Sequence, residues 1–99
     1  MDNKQEILKF LSENYDQLQS KFNISKIGLF GSFAKDEQTK DSDVDIVFDI
    51  QANTKNVYEL KNALRKFLSQ AFGRDVDLAR EKYLKPYAKK QILDDTIYV

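Results

Sequence analysis

The chain has no cysteine, no histidine and no tryptophan, and only one proline and three glycines among its 99 residues. Without cysteine there is neither a disulfide framework nor a thiolate metal site. Without histidine the commonest general base and metal ligand is missing, which removes most zinc chemistry, HD-type sites and any Ser-His-Asp mechanism. An excess of one charge is missing too. Sixteen basic and sixteen acidic residues cancel, which argues against broad electrostatic capture of nucleic acid. No apolar run approaches the roughly 20 residues of a membrane span, and no signal peptide is visible in the polar N-terminal segment. The cytoplasm is the expected location. The length suits one domain over residues 1–99, with a modest core and no separate substrate-binding domain.

What is present is concentrated between Ile27 and Ile50, IGLFGSFAKDEQTKDSDVDIVFDI. An apolar run, Ile27-Gly28-Leu29-Phe30, stops at Gly31-Ser32. Asp43-Val44-Asp45 follows after ten intervening residues and leads into a second apolar run, Ile46-Val47-Phe48. The pattern reads as strand, tight turn, short helix and polar loop, then a strand whose first residues carry two carboxylates.

Residues i and i+2 of a strand share a face, so Asp43 and Asp45 project together while Val44, Ile46 and Phe48 project into the core. Two carboxylates about 6–7 Å apart at the backbone repel one another unless a cation lies between them. Hard divalent cations such as Mg²⁺ are held by a few carboxylates together with substrate phosphates. The Gly-Ser corner supplies the complement. Glycine lets a phosphate approach the backbone, a helix starting at Ser32 would aim N–H groups at it, and the serine hydroxyl adds a donor. Metal on one side and phosphate cradle on the other describe a nucleoside triphosphate site.

Each half alone is a weak signal. Gly-Ser is neither a Walker loop nor a dinucleotide fingerprint. Asp41-Ser42-Asp43-Val44-Asp45 fails as a calcium loop, because Ile46 stands where glycine is needed and Ala52 where glutamate is needed. At the observed spacing, with strand-like runs on both sides, the two halves together are specific.

The remaining chain supplies a scaffold. Ile7, Leu8, Leu11, Tyr15, Leu18 and Phe22 mark one amphipathic helix over Lys4–Phe22, capped by Asp2 or Asn3. Ile24–Phe30 is a strand; Gly28 within it marks either room beside a nucleotide or a bulge. Val57, Leu60, Leu64, Phe67, Leu68 and Ala71 form a second helical stripe, ended by Gly73. Arg74–Ala79 alternates as a third strand, with Val76 and Leu78 inward and Asp75 and Asp77 outward. Taken alone, Asp77 reads as solvated surface. Tyr83–Leu93 reads as a last helix with Pro86 in its first turn, followed by a short edge strand at Ile97-Tyr98-Val99. The fold class is α/β, a small mixed sheet with helices on one face and the carboxylates on the other, open face.

Gly31-Ser32, ten residues, then Asp43-Val44-Asp45 resembles the signature of the DNA polymerase beta-like nucleotidyltransferases. Within that superfamily the short chain is most similar to the minimal nucleotidyltransferases (MNT) that act as antitoxins beside HEPN toxins. The resemblance spans nearly the whole chain and makes Asp77 the third carboxylate. It implies two Mg²⁺ ions held by Asp43, Asp45 and Asp77, with ATP against Gly31 and Ser32 and Asp77 as general base. It further implies transfer of AMP to a hydroxyl of a HEPN toxin, a tyrosine being the expected acceptor. One departure is Asp36, where the family commonly has glycine; aspartate tolerates a left-handed backbone. Two rival readings stand beside this one. The first is a non-catalytic antitoxin that masks its partner; the second is a small-molecule nucleotidyltransferase, for which no acceptor domain is left over. Tyr83, Tyr87 and Tyr98 either build a docking surface for the partner or finish the core.

Overall fold

Alternation along Val44–Ile50 (β2) puts Val44, Ile46, Phe48 and Ile50 on one face, and all four enter the core. In the computed structural model, which describes all 99 residues, β2 lies inside a four-stranded sheet. Its companions are β1 (Ile24–Phe30), β3 (Val76–Arg80) and β4 (Ile97–Tyr98), in the order β3-β2-β1-β4. β1 runs antiparallel to both β2 and β4, whereas β2 and β3 are parallel. A parallel pair needs a long crossover. Helix α4 (Val57–Phe72) provides it, burying Leu64, Leu68 and Phe72 and ending on Gly73 in the left-handed conformation. The sheet is mixed, as expected.

The N-terminal segment departs from the expected single helix. It forms α1 (Lys4–Glu13) and α2 (Tyr15–Phe22), separated at Asn14. The Asn14 side-chain amide donates to the Phe10 carbonyl at 2.8 Å, and its backbone N–H donates to the same oxygen at 3.0 Å. The asparagine side chain thereby adds a second donor to a carbonyl of the helical ladder, a back-bonding that favours a break at this residue. Because only one residue is lost, the stripe still meets the sheet, and Ile7, Leu11, Leu18 and Phe22 are buried. Asn3 is the cap, its side chain accepting from the Glu6 N–H at 2.9 Å.

A register irregularity between Ile24 and Lys26 changes which residues of β1 share a face. Strict alternation opposes Ile24 to Ile27 and Leu29; the bulge brings all three into the core. The bulge therefore lies at the start of the strand and not at Gly28. A Cβ on Gly28 would lie 2.7 Å from Thr96 Cγ2 and 3.0 Å from both the Ile97 carbonyl and Tyr98 Cδ1. The missing side chain makes room for the chain leading into β4 and not for a nucleotide. Val47, opposite Gly28, is fully buried. The face expected to be open is thus covered at its centre and carries its acids at one end.

After β1 comes a four-residue helix, α3 (Gly31–Ala34), too short to persist alone. Phe33 anchors it with a fully buried ring, a contribution of about 1.5–3 kcal/mol. The last helix, α5 (Pro86–Asp95), begins at the proline, three residues later than the expected Tyr83, and runs past the expected stop at Asp94. It buries no residue fully. A single 3₁₀ turn, Glu81–Tyr83, connects it to β3. No helix is long and apolar enough to cross a membrane.

Candidate active site

The site is built where β1 ends and β2 and β3 begin. Gly31 takes φ +73°, and a Cβ there would fall 2.1 Å from Asp45 Oδ2. Either fact alone selects glycine: L side chains disfavour that backbone, and no atom tolerates that approach. The sequence reading gave this glycine the task of admitting a phosphate; the structure shows the Asp45 carboxylate already against its α-carbon. Pairing across the ladder explains the contact, since Asp45 is the register partner of Phe30, one residue before the turn. Ser32 follows, half-buried, one residue into α3 rather than at its first position. No side chain caps this helix, so the serine hydroxyl is not used as a cap. Asp36 closes the turn with φ 58°, the left-handed backbone expected of it, and its carboxylate meets Lys4 Nζ at 3.1 Å.

The three candidate carboxylates occupy different positions. Asp43 is exposed and stands just before β2; Asp45 is half-buried within β2; Asp77 is exposed in β3, directly in register with Asp45. Parallel register brings Asp45 and Asp77 side by side on neighbouring strands. None of the three forms an ion pair with a lysine or arginine. Burial, followed by the charges of Asp77 and then Asp43, pushes the Asp45 carboxyl up from an ordinary 3.8 to about 6. Asp75 is exposed beside them, outside the pair.

No three acids of the chain converge closely enough to grip a metal unaided. The donor set is nonetheless of the right type for a hard cation: oxygen only, with Asp45 and Asp77 in register on neighbouring strands, and uncompensated by any cationic side chain. Such a set takes a metal together with ligand oxygens rather than as a closed protein cage.

The tyrosines do not finish the core. Tyr83 is 66% and Tyr87 89% exposed. Tyr98 is 41% exposed and donates its hydroxyl to Glu81. Two features of this end of the molecule were not legible in spacing or motif: the seating of Asp45 on Gly31, and the side chain of Arg74 beneath the loop before Asp43. Both are tertiary contacts between distant segments, and no local period announces them.

The family model described as a nucleotidyltransferase domain matches residues 5–99. The protein adenylyltransferase MntA of Thermococcus cleftensis is 32% identical over 95 residues, covering 96% of this chain and 94% of that one. A solved structure described as a minimal nucleotidyltransferase superposes with a TM-score of 0.78 at 27% identity, over 98% of this chain and 95% of the other. A toxin–antitoxin crystal structure with AMP-PNP gives a TM-score of 0.62 at 26% identity, over 97% of this chain and 71% of that one.

Proposed function

From the premise that the chain belongs to the nucleotidyltransferase domain family, we propose that it transfers AMP from ATP to a hydroxyl of a HEPN-type toxin, a tyrosine being the acceptor, and so acts as its antitoxin. The observation that carries the reading is the uncompensated acid group: Asp45 is pressed against Gly31, in register with Asp77 and two residues from Asp43, without a cationic partner, and Ser32 follows Gly31 with a hydroxyl that caps no helix. The relatives' names support the chemistry, and the toxin–antitoxin structure with AMP-PNP supports both nucleotide and partner.

In this reaction Ser32 donates to a phosphate oxygen, while Gly31, lacking a side chain, keeps the space between phosphate and Asp45 clear. Asp43 and Asp45, with Asp77, would hold Mg²⁺, which supplies charge neutralisation at the phosphate oxygens when bound. Asp77, the most exposed member of the in-register pair and without a histidine to compete with it, accepts the proton of the acceptor hydroxyl. The hydroxyl oxygen bonds to the α-phosphorus as pyrophosphate leaves.

An acceptor must be held about 3–3.5 Å from the phosphorus, which calls for a surface that binds the partner carrying it. The partner therefore docks. The surface offered is the segment from Arg80 to Lys90, where Lys82, Tyr83, Lys85, Tyr87, Lys89 and Lys90 are all exposed. Against five basic residues it carries one acid, Glu81, already paired with Lys26. Exposed aromatics are enriched at interfaces, and the lysines around Tyr83 and Tyr87 give this one a basic rim. Masking of the toxin can accompany its modification.

The test is incubation of the purified chain with ATP, Mg²⁺ and the neighbouring HEPN-type protein, followed by gel filtration and intact mass. A complex and AMP-sized additions on the partner are expected, with additions lost in Asp43→Asn. Two folded proteins giving neither complex nor additions would overturn the reading.

A further inference from the structure

Arg74 stands between the glycine that ends α4 and the start of β3, and its side chain is only 13% exposed. Four of its five hydrogen bonds go to backbone carbonyls of other segments. Nη1 donates to the carbonyls of Lys40 at 2.8 Å, Ser42 at 3.2 Å and Thr39 at 3.4 Å. Nε donates to the Met1 carbonyl at 3.1 Å, and Nη2 meets Asp2 Oδ1 at 3.2 Å. Its Cζ lies over the ring of Phe33, 5.1 Å from the centroid. Phe33 is the buried anchor of α3, the helix that carries Ser32. One side chain therefore contacts both the loop leading to Asp43 and the element leading away from Gly31.

The consequence for Asp43 follows from which peptide groups are held. Asp43 lies outside β2 and its side chain has no ion-pair partner. The peptide group before it, through the Ser42 carbonyl, is held by Arg74; the one after it, through the Val44 N–H, donates to the Asp75 carbonyl at 3.0 Å. Two consecutive residues, 74 and 75, thus fix both peptide groups flanking an exposed carboxylate. Only a planar group with five donors can bridge carbonyls of this loop and the N-terminal segment while stacking on a ring.

We infer that Arg74 is a positioning residue of the transfer reaction, setting Asp43 against the Ser32 helix without touching substrate. This rests on Asp43 and Asp45 being the carboxylates of that reaction. The bland alternative is that Arg74 only ties down Met1 and Asp2.

Three substitutions separate these. Arg74→Met keeps the stem and removes every hydrogen bond; Arg74→Lys keeps one compact charge; Asp2→Ala removes the N-terminal ion pair alone. In the metal-free protein, amide exchange at Ser42 and Val44 is expected to accelerate in Arg74→Met while exchange in α4 is unchanged. With ATP, Mg²⁺ and the acceptor protein, kcat is expected to fall about ten- to hundredfold, the cost of a misplaced group, with a smaller change in the KM for ATP. Arg74→Lys should recover only part of the loss, and Asp2→Ala should match the parent in exchange and kcat. Parent-like exchange or kcat in Arg74→Met, or equal losses in Asp2→Ala, would overturn the inference. Should Arg74→Met not fold, Arg74→Lys and Arg74→Gln are read by the same two measurements. Full transfer by Asp43→Asn would instead remove the premise, whereas transfer lost in Asp43→Asn but kept in Arg74→Met removes Arg74 alone.

Discussion

Asp45 and Asp49 lie on the same face of the same strand, four residues apart, in opposite electrostatic company. Asp49 accepts from Arg80 Nε at 3.3 Å and Nη2 at 3.0 Å, from its neighbour's Ile50 N–H at 3.1 Å and from the Lys82 N–H at 3.2 Å. Nearby, Glu81 is paired with Lys26 and accepts from Tyr98, and these partners hold its carboxyl below the ordinary range. A cavity of about 540 Å³ separates this end of the sheet from the turn after β2. At the other end Asp45 has only Asp77 and Asp43 for company and is pushed up to about 6. The fold is able to satisfy carboxylates on this sheet face, and does so at one end. Leaving the other end unsatisfied is what marks it as the candidate site: a bound cation would relieve the repulsion there.

Exchanging aspartate for asparagine at the two positions is the strongest way to break this comparison. Asp45→Asn is expected to lower transfer by about 10²–10³-fold or more, the scale of removing a principal electrostatic group. Its metal-free melting temperature should match or exceed the parent's, because the clash with Asp77 is gone. Asp49→Asn should do the reverse, costing about 1–2 kcal/mol through lost charge-assisted hydrogen bonds at a partly exposed site, with nucleotide binding intact. Thermal melts and a transfer assay on both variants decide the matter; matching behaviour of the two would erase the distinction.

The glycines at +φ provide a second contrast. Gly31 and Gly73 have similar backbones, φ +73° and +68°, yet a Cβ meets Asp45 Oδ2 at the first and nothing within 4 Å at the second. Gly73→Ala is expected to cost only the backbone strain, about 1 kcal/mol, and to leave transfer unaffected. Gly31→Ala adds displacement of Asp45, so a loss of about 1–3 kcal/mol and a collapse of transfer should come together. Equal melting temperatures with full activity in both would refute the close approach of Asp45.

Ser32→Ala removes one hydroxyl that the fold does not use as a cap. Nucleotide affinity should fall about ten- to hundredfold, the worth of one hydrogen bond to a charged group, with no change in melting temperature. Calorimetric titration with ATP checks it, and an unaltered affinity would leave Ser32 without a binding role.

The smallest effect is a pH dependence that sharpens the comparison of ends. A carboxyl raised from 3.8 to about 6 destabilises the fold when ionised, so its penalty grows as pH rises through that window and disappears below it. Without divalent cations, the parent should therefore melt higher at pH 5 than at pH 7, and Asp45→Asn should lose that difference. Glu81, lowered by Lys26, works in the opposite sense, its contribution vanishing only as pH falls below the ordinary 4.5. A parent curve flat between pH 5 and 7 would count against the acid cluster.

Much of this protein is local, and the local part is readable from residue order. Alternation picks out Val44, Ile46, Phe48 and Ile50 as core, though Val47 is buried as well from the opposite face; Gly31-Ser32 and Asp43-Val44-Asp45 stand out by type and spacing, and Gly73 marks the helix boundary at which it stands. Periodicity reports backbone geometry, which is why these readings survive folding. Other features depended on which segments meet. Whether Asp77 reaches Asp45 is a question of parallel register; whether Gly28 serves a ligand or a strand is settled by Thr96; the bulge that turns Ile24 inward and the Asn14 break are single-residue departures that periodicity averages over. The tyrosines could have been core or surface on composition alone, and only the packing left Tyr83 and Tyr87 outside. Residue type and spacing chose the chemistry of the acids; the meeting of strands distant in the chain decided that Asp45 would be crowded and Asp49 satisfied, because a carboxylate's charge state is set by its neighbours in space and not in sequence.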